Sequence, residues 1–286
     1  MSHQQLVILY HAKCADGFGG AYAAWKKYGD SAEYIPVSYG KPIPEHLSGR
    51  DIIFVDFCYE QPVMDELAKI AKSITVLDHH AGVREVATKF PGVFDPTHSG
   101  ATIAWKYFHP DEPVPKLLLY LEDGDLYLHK LPETRDIFSY LMVAPYDFLQ
   151  WDELVNTLEN DTPGRDLFMA KARNYNEYFK LLAESAITSA KLVEFEGHQC
   201  YFANSHPNMT MKSYIGNQLV KKLPPIALIV AAHPEGFGVS IRGDGSVDVA
   251  EIARKFGGNG HPSSAGFLIP AGGPLPWKEV ETEATS

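Results

Sequence analysis

The chain has 286 residues, of which 45% are apolar and 21% charged; this ordinary globular balance excludes a disordered polymer and suggests two domains. With 25 Lys and Arg against 36 Asp and Glu, the formal net charge is −11, which excludes a broad electrostatic grip on duplex nucleic acid. The longest clean apolar run, 226–232, is too short for a bilayer, and the first ten residues lack the basic and apolar segments of a secretion signal. Three cysteines (Cys14, Cys58, Cys200) cannot build a disulfide framework, so a reduced cytoplasmic setting is expected.

The first 125 or so residues alternate short β-rich runs with helical ones, the pattern of a parallel sheet with crossover helices. Strands are predicted over 6–10, 32–38, 51–57 and 73–77. The third, DIIFVDF, has the unbroken apolar character of a strand buried on both faces. Helices are predicted over 18–28, over 62–72 with Pro62 near its start, from an N-cap at Ser99 to 108, and over 114–122. From 144 to 191 the pattern is helical without strands. A second α/β unit follows: strands over 191–195 and 199–203 around a Glu196-Gly197-His198 turn, a helix over 211–222, and strands over 226–232 and 237–242. A helix over 249–256 opens with Asp248 and Glu251 at capping-box spacing, and a strand over 267–270 is the last element. The tail over 272–286 is expected to be loosely held.

Polar clusters fall at the C-terminal ends of three strands: HAKCAD (11–16), Asp56, and Asp78-His79-His80. In an open parallel sheet those ends converge on one crevice, so residues distant in sequence can meet there. Oxygen and imidazole donors suit octahedral Mn²⁺ or Mg²⁺, or Fe²⁺, and two such ions sharing a carboxylate can activate a water and clamp a phosphoryl group. Taken singly, an Asp at a strand end is more often a helix cap than a ligand; three such ends in the first third of the chain carry the reading. Gly17, Gly19 and Gly20 fit neither a Walker pattern nor a dinucleotide fingerprint and read as close backbone packing.

The ordered motifs HAKCADG, VDFCYE, VLDHH and the distal GGNGHPSSAGF resemble the DHH phosphoesterases with a DHH-associated C-terminal domain, over essentially the whole chain. The resemblance implies an α/β architecture: a Rossmann-like parallel-sheet catalytic domain (1–143), a helical connector (144–190) and a smaller α/β substrate-binding domain (191–286). It also implies a two-metal site holding Mn²⁺, one or two ions per chain, with Mg²⁺ or another divalent ion as a substitute. His11 would bind the first metal, Asp16 the second, and Asp56 would bridge them. His79 would bind the second metal, oriented by Asp78, and His80 would face the substrate phosphate. In the fourth motif Asp123 is preferred over Asp125 as the ligand. Cys14 stands where the family usually has an aspartate, which leaves two readings open: a soft sulfur ligand, or a small apolar residue beside a site completed by water. Cys58, two residues after Asp56 in an extended strand, would point the same way and lie near the site.

In the second unit Arg242 ends a strand, and His261 follows Gly258-Asn259-Gly260. A glycine turn exposing N–H groups beside an Arg and a His can cradle a phosphate, although a hairpin with an incidental His is the bland reading. Given the resemblance, these residues would hold substrate, with His80, Asp56 and Arg242 as the catalytic group. The cluster Lys212, Lys221 and Lys222 reads as a solvated helix face. The expected activity is metal-dependent hydrolysis of nanoRNA, linear dinucleotides or a nucleoside bisphosphate by a metal-activated water. Pyrophosphate or polyphosphate hydrolysis is the alternative enzyme, and a catalytically degenerate nucleotide binder the alternative class. The expected partner is a short oligonucleotide or dinucleotide, with no duplex nucleic acid and no membrane; a homodimer fits the same reading.

Overall fold

The computed structural model describes residues 5–160 and 162–280, so Met1–Gln4 and the end of the tail, 281–286, lie outside the described residues. Internal packing divides the chain into two units, Met1–Asn176 and Glu177–Ser286.

The first unit begins with β1 (Leu6–His11), α1 (Ala15–Tyr28), β2 (Ala32–Val37), β3 (Asp51–Val55), α2 (Gln61–Ile70) and β4 (Ser73–Asp78). It continues with α3 (Arg84–Ala87), β5 (Gly92–Phe94), α4 (Gly100–Phe108), α5 (Lys116–Asp125), α6 (Thr134–Leu141), α7 (Phe148–Glu159) and α8 (Pro163–Thr188), the last of which runs on into the second unit. Five strands form an all-parallel sheet in the order β2-β1-β3-β4-β5. The order reverses between β1 and β3, the place where open α/β sheets leave a crevice beyond their strand ends.

Alternation along the strands accounts for two cores. Ile8, Tyr10, Ile53 and Val55 face a layer that includes Phe18 and Tyr22 of α1, Ala104 of α4 and Leu121 of α5. Val7, Leu9, Ile52 and Phe54 face the other way, against Met64 and Leu67 of α2. Burial on both faces is why these strands read as unbroken apolar runs. The segment expected as a helical connector folds largely as α7 and α8, and Trp151, Leu154, Val155, Leu158 and Met169 join the α1 core.

The glycines of α1 are packing residues. A Cβ on Gly17 would stand 2.4 Å from the His11 carbonyl oxygen, and one on Gly20 only 2.1 Å from Val55 Cγ1. Small residues there let α1 lie directly on the strand ends. Ser99 caps α4 as expected, its hydroxyl accepting from Thr102 N at 3.3 Å.

The second unit contains β6 (Lys191–Phe195), β7 (His198–Asn204), α9 (Met209–Lys222), β8 (Ile226–His233), β9 (Gly236–Gly243), α10 (Val249–Lys255), β10 (Asn259–His261), β11 (Ser264–Pro270) and β12 (Lys278–Glu279). Its sheet runs β10-β11-β9-β8-β7-β6-β12, with only the β7–β8 pair parallel, joined by α9. Glu196 and Gly197, at φ 50° and 80°, form the tight turn expected between β6 and β7. Asp248 caps α10, accepting from Ala250 N and Glu251 N. The tail is held further than expected: Trp277 is buried beside Phe195 and Phe202, and β12 pairs with β6. Among the described residues no helix is long and apolar enough to cross a membrane.

Candidate metal centre

His11 is the last residue of β1, Asp56 follows β3, and Asp78 ends β4. These are three adjacent strands of one parallel sheet, so their side chains emerge along one edge. Asp56 has φ 55°, a left-handed conformation that an aspartate tolerates at some cost. That turn ends the extended run at Val55. It also overturns the expectation that Cys58 shares the direction of Asp56, because the two-residue period holds only in an extended chain. Cys58 is fully buried in the core on the α2 side, its thiol donating to the Tyr59 carbonyl at 3.4 Å.

Among the described residues, donor atoms gather in three overlapping groups, each with all its atoms within 4.8 Å of one another: Asp56, Asp78, His79 and His80; His11, Cys14 and Asp56; and Asp16, His79 and Asp125. Asp56 belongs to two of them, the position a bridging carboxylate requires. Its Oδ1 lies 3.1 Å from His79 Nε2 and its Oδ2 lies 3.5 Å from His11 Nδ1. His79 Nε2 also stands 3.8 Å from Asp16 Oδ2 and 3.6 Å from Asp125 Oδ2. The carboxylate of Asp16, in the first turn of α1, accepts from Gly100 N at 2.6 Å and Ala101 N at 3.0 Å. It thus docks on the positive end of α4 while reaching the cluster, a double role that spacing alone does not reveal. Gly100 must be a glycine, since a Cβ there would lie 2.5 Å from Asp56 Cβ.

Asp78 acts differently from expectation. Its Oδ1 accepts from the backbone N–H groups of His79 and His80 and from His80 Nδ1 at 2.8 Å, so it orients the His80 ring rather than that of His79. His80 Nδ1 is 3.7 Å from Asp56 Oδ1.

The fourth motif is corrected. Asp123 is turned away and ties down the loop after α5: Oδ1 accepts from Lys130 N at 2.8 Å, and Oδ2 accepts from Leu131 N at 3.0 Å and from the Thr134 hydroxyl. Asp125 joins Asp16 and His79 instead. Residues two apart on a helix point about 200° apart, so only one of the pair can face the strand ends.

Crowding of charge sets the electrostatics. Burial, then the charges of Asp56 and Asp125, hold the Asp16 carboxyl well above its usual range. Burial and Asp56 raise Asp125 to about 6, against the pull of the histidines. Burial alone would also raise Asp56, but the His11 ring nitrogen 3.5 Å away and the hydrogen bond with His79 outweigh it and keep that carboxylate ionised to unusually low pH. For His79 burial opposes the charge, yet the Asp56 hydrogen bond and the surrounding carboxylates raise it to about 9. The same opposition, with the Asp78 hydrogen bond first among the raising causes, leaves His80 above its ordinary value.

The cluster fits a divalent cation. His11 Nδ1, Asp56 Oδ2 and Asp78 Oδ2 are buried polar atoms without a hydrogen-bond partner, and carboxylates this close repel unless a cation lies among them. His11, Asp16, Asp56, His79 and Asp125 are the hard donors, and Cys14 adds a sulfur.

The second unit places its expected residues in another arrangement. Arg242, on β9, is buried; its guanidinium donates to the Ser213 hydroxyl at 2.9 Å and to the Ile241 carbonyl. Lys212 is half-buried rather than part of a solvated face, and burial, then the Arg242 charge, lowers its pKa. Gly258, Asn259, Gly260 and His261 do not form an open loop: the last three are β10, paired with β11. Their glycines allow approach to that neighbour, since a Cβ on Gly258 would meet the Gly266 oxygen at 2.1 Å. Asn259 Oδ1 accepts from Gly260 N, so the amide turns back on its own strand, while His261 is exposed.

No protein-family model matches the chain. An uncharacterized protein, R106, of Acanthamoeba polyphaga mimivirus is 27% identical over 300 residues, covering 96% of this chain and 70% of that protein. Among solved structures, the DHH domain of a member of a family of ribosomal proteins matches with a TM-score of 0.59 at 13% identity, covering 92% of this chain and 82% of that one. An exopolyphosphatase-related protein from Bacteroides fragilis matches with a TM-score of 0.53 at 14% identity, covering 93% and 87%. Exonuclease RecJ bound to manganese matches with a TM-score of 0.50 at 13% identity, covering 93% and 86%. With its five-stranded parallel sheet and second mixed sheet, the chain has the fold of the DHH-domain proteins.

Proposed function

We propose that the chain is a divalent-metal-dependent phosphoesterase acting on short nucleotide substrates: nanoRNA, a linear dinucleotide or a nucleoside bisphosphate. The observation that carries this reading is Asp56, a buried carboxylate shared by two donor groups, with one oxygen facing His79 and the other facing His11. The fold it shares with a manganese-bound exonuclease and an exopolyphosphatase-related protein supports the same chemistry. Divalent cations held there, of which Mn²⁺ suits the donors best, would polarise a phosphoryl oxygen and lower the pKa of a water.

The chain's own residues do the rest. Asp56 is fixed by its backbone and by the absence of a Cβ at Gly100, so it needs no reorganisation when substrate arrives. His80 is locked through Nδ1 to Asp78, which leaves Nε2 for a substrate oxygen, and its raised pKa favours the cation that would take up phosphoryl charge. In the second unit Arg242 is the proposed phosphate-holding residue, its guanidinium pre-positioned by Ser213, with Lys212 as a nearby second cation. His261 would contribute from the β10–β11 hairpin. A net charge of −11 favours a short substrate over duplex nucleic acid or a membrane surface, and the setting is cytoplasmic.

The exopolyphosphatase-related neighbour favours inorganic polyphosphate as a second reading. A screen of pNpN, longer nanoRNAs, pAp, cyclic dinucleotides and polyphosphate with Mn²⁺ separates the two. Turnover of the nucleotides is expected. Release of phosphate from polyphosphate alone would establish the second reading, and no turnover of any phosphoester by the metal-loaded protein would overturn both.

A further inference from the structure

We infer that Cys14 supplies a thiolate donor, so that the donor cluster offers two chemically unequal cation positions: a soft one at His11, Cys14 and Asp56, selective for Zn²⁺ or Co²⁺, and a hard one at Asp16, His79 and Asp125 that takes Mn²⁺ or Mg²⁺. This rests on the metal-dependent part of the function proposed above and goes beyond it.

The sulfur, a ring nitrogen of His11 and an oxygen of Asp56 lie within 4.8 Å of one another. Two of these partners carry a sign of an expected ion: His11 Nδ1 and Asp56 Oδ2, 3.5 Å apart, are both buried without a hydrogen-bond partner, and Asp56 is only 1% exposed. Three protein donors of mixed N, S and O type with a fourth place for water or substrate are the pattern of a catalytic tetrahedral zinc site, whereas the all-oxygen-and-imidazole set at Asp16, His79 and Asp125 suits an octahedral ion. Hydrogen bonding gives no reason for a sulfur at position 14. The residue caps α1 yet makes no side-chain capping hydrogen bond, a duty that Ser or Asp performs better, and it is partly exposed rather than buried. The other two thiols, Cys58 and Cys200, are fully buried in their separate cores and belong to none of the donor groups, so a sulfur signal from a bound metal would report Cys14 alone. Cation uptake at this position exchanges the thiol proton for a metal–sulfur bond and releases that proton to water.

The test is a Co²⁺ titration of the metal-free full-length protein, with bound cobalt measured by equilibrium dialysis and the near-ultraviolet thiolate-to-cobalt charge-transfer band recorded at each point. The band should saturate at one cobalt per chain, be displaced by Zn²⁺, and persist when Mn²⁺ is present in excess. In Cys14→Ser, a favourable cap that preserves the helix start, the band should vanish. Zn²⁺ affinity should fall by on the order of 10–100-fold, at least the loss produced by removing a ligand's outer partner. Mn²⁺ affinity should hold. Circular dichroism verifies the fold of each variant, and Cys14→Ala repeats the measurement should the serine variant misfold. Cobalt bound to the wild-type chain without the band, or a band that survives in Cys14→Ser, overturns the thiolate assignment and leaves the metal-dependent function standing. No retained cobalt, manganese or zinc at all would overturn both.

Discussion

Asp123→Asn and Asp125→Asn form the sharpest pair of perturbations, because two carboxylates separated by a single residue have opposite duties. At Asp123, Oδ2 accepts from Leu131 N and from the Thr134 hydroxyl, and Oδ1 from Lys130 N. An asparagine keeps one acceptor and places an amide donor against the other N–H. With the amide oxygen at the Oδ2 position the Lys130 bond is lost and the other two become neutral, a combined loss of about 3 kcal/mol when a charge-assisted bond is worth about 1.5–3 kcal/mol. About 3 kcal/mol lowers Tm by about 6–12 °C for a unit of this size, while the donor cluster keeps its geometry. Asp125 accepts no comparable hydrogen bonds, and burial beside Asp56 already makes its charge unfavourable, with a pKa raised to about 6. Removing that charge should leave the metal-free Tm unchanged or higher at pH 7, yet reduce Mn²⁺ retention at the Asp16–His79 group. Thermal unfolding followed by circular dichroism, together with metal content by mass spectrometry, reads both effects. An Asp123→Asn protein that loses its metal while keeping its Tm, beside a fully loaded Asp125→Asn protein, would refute this division of labour.

Gly100→Ala would bring a Cβ to 2.5 Å from Asp56 Cβ and 2.8 Å from its Oδ1, an overpacking that should cost about 1–3 kcal/mol and weaken cation binding as well, visible as a lower denaturant midpoint and a shifted Mn²⁺ titration. Cation binding should also strengthen with pH. His79 holds its proton to about pH 9 in the metal-free protein, and a ligand nitrogen must shed that proton. The sign for stability runs the other way: the raised pKa stabilises the metal-free fold fully below about pH 6.5, and that contribution disappears as pH rises through 9. Calorimetric titrations between pH 6 and 9.5 should show rising Mn²⁺ affinity and proton release; a flat affinity would count against His79 as a ligand.

Most of the first unit was legible from the sequence for one physical reason. Parallel strands carry their polar residues out at the same end, so His11, Asp56 and the Asp78-His79-His80 triplet could be brought together without knowing the pairing register. What the pattern could not express was phase and hand. The choice between Asp123 and Asp125 depends on the helical phase of the last turn of α5, where the apolar pattern has run out. The position of Cys58 depended on the left-handed turn at Asp56, which an extended-strand rule cannot anticipate. The fold of 258–261 as a hairpin strand was weighed as the bland alternative; glycine fits a close strand contact as well as a ligand-cradling loop, so composition alone could not separate them. Asp16 holding the start of α4 is a contact across 84 residues that no local pattern encodes.

The way Asp16 meets α4 also bears on how this protein can change over generations. Because the Asp16 carboxylate accepts from Gly100 N and Ala101 N while still reaching the donor cluster, and a Cβ on Gly100 would collide with Asp56, the donor cluster and the contact between α1 and α4 are one mechanical object. Gly17 against His11, Gly20 against Val55 and Gly100 against Asp56 have no side chain to offer a cation, yet in a library of random variants they should tolerate replacement as poorly as the donor residues themselves. A lineage losing its donor cluster would be free to vary its histidines well before it could vary these glycines, so the glycine packing should be the longer-lived trace of that cluster.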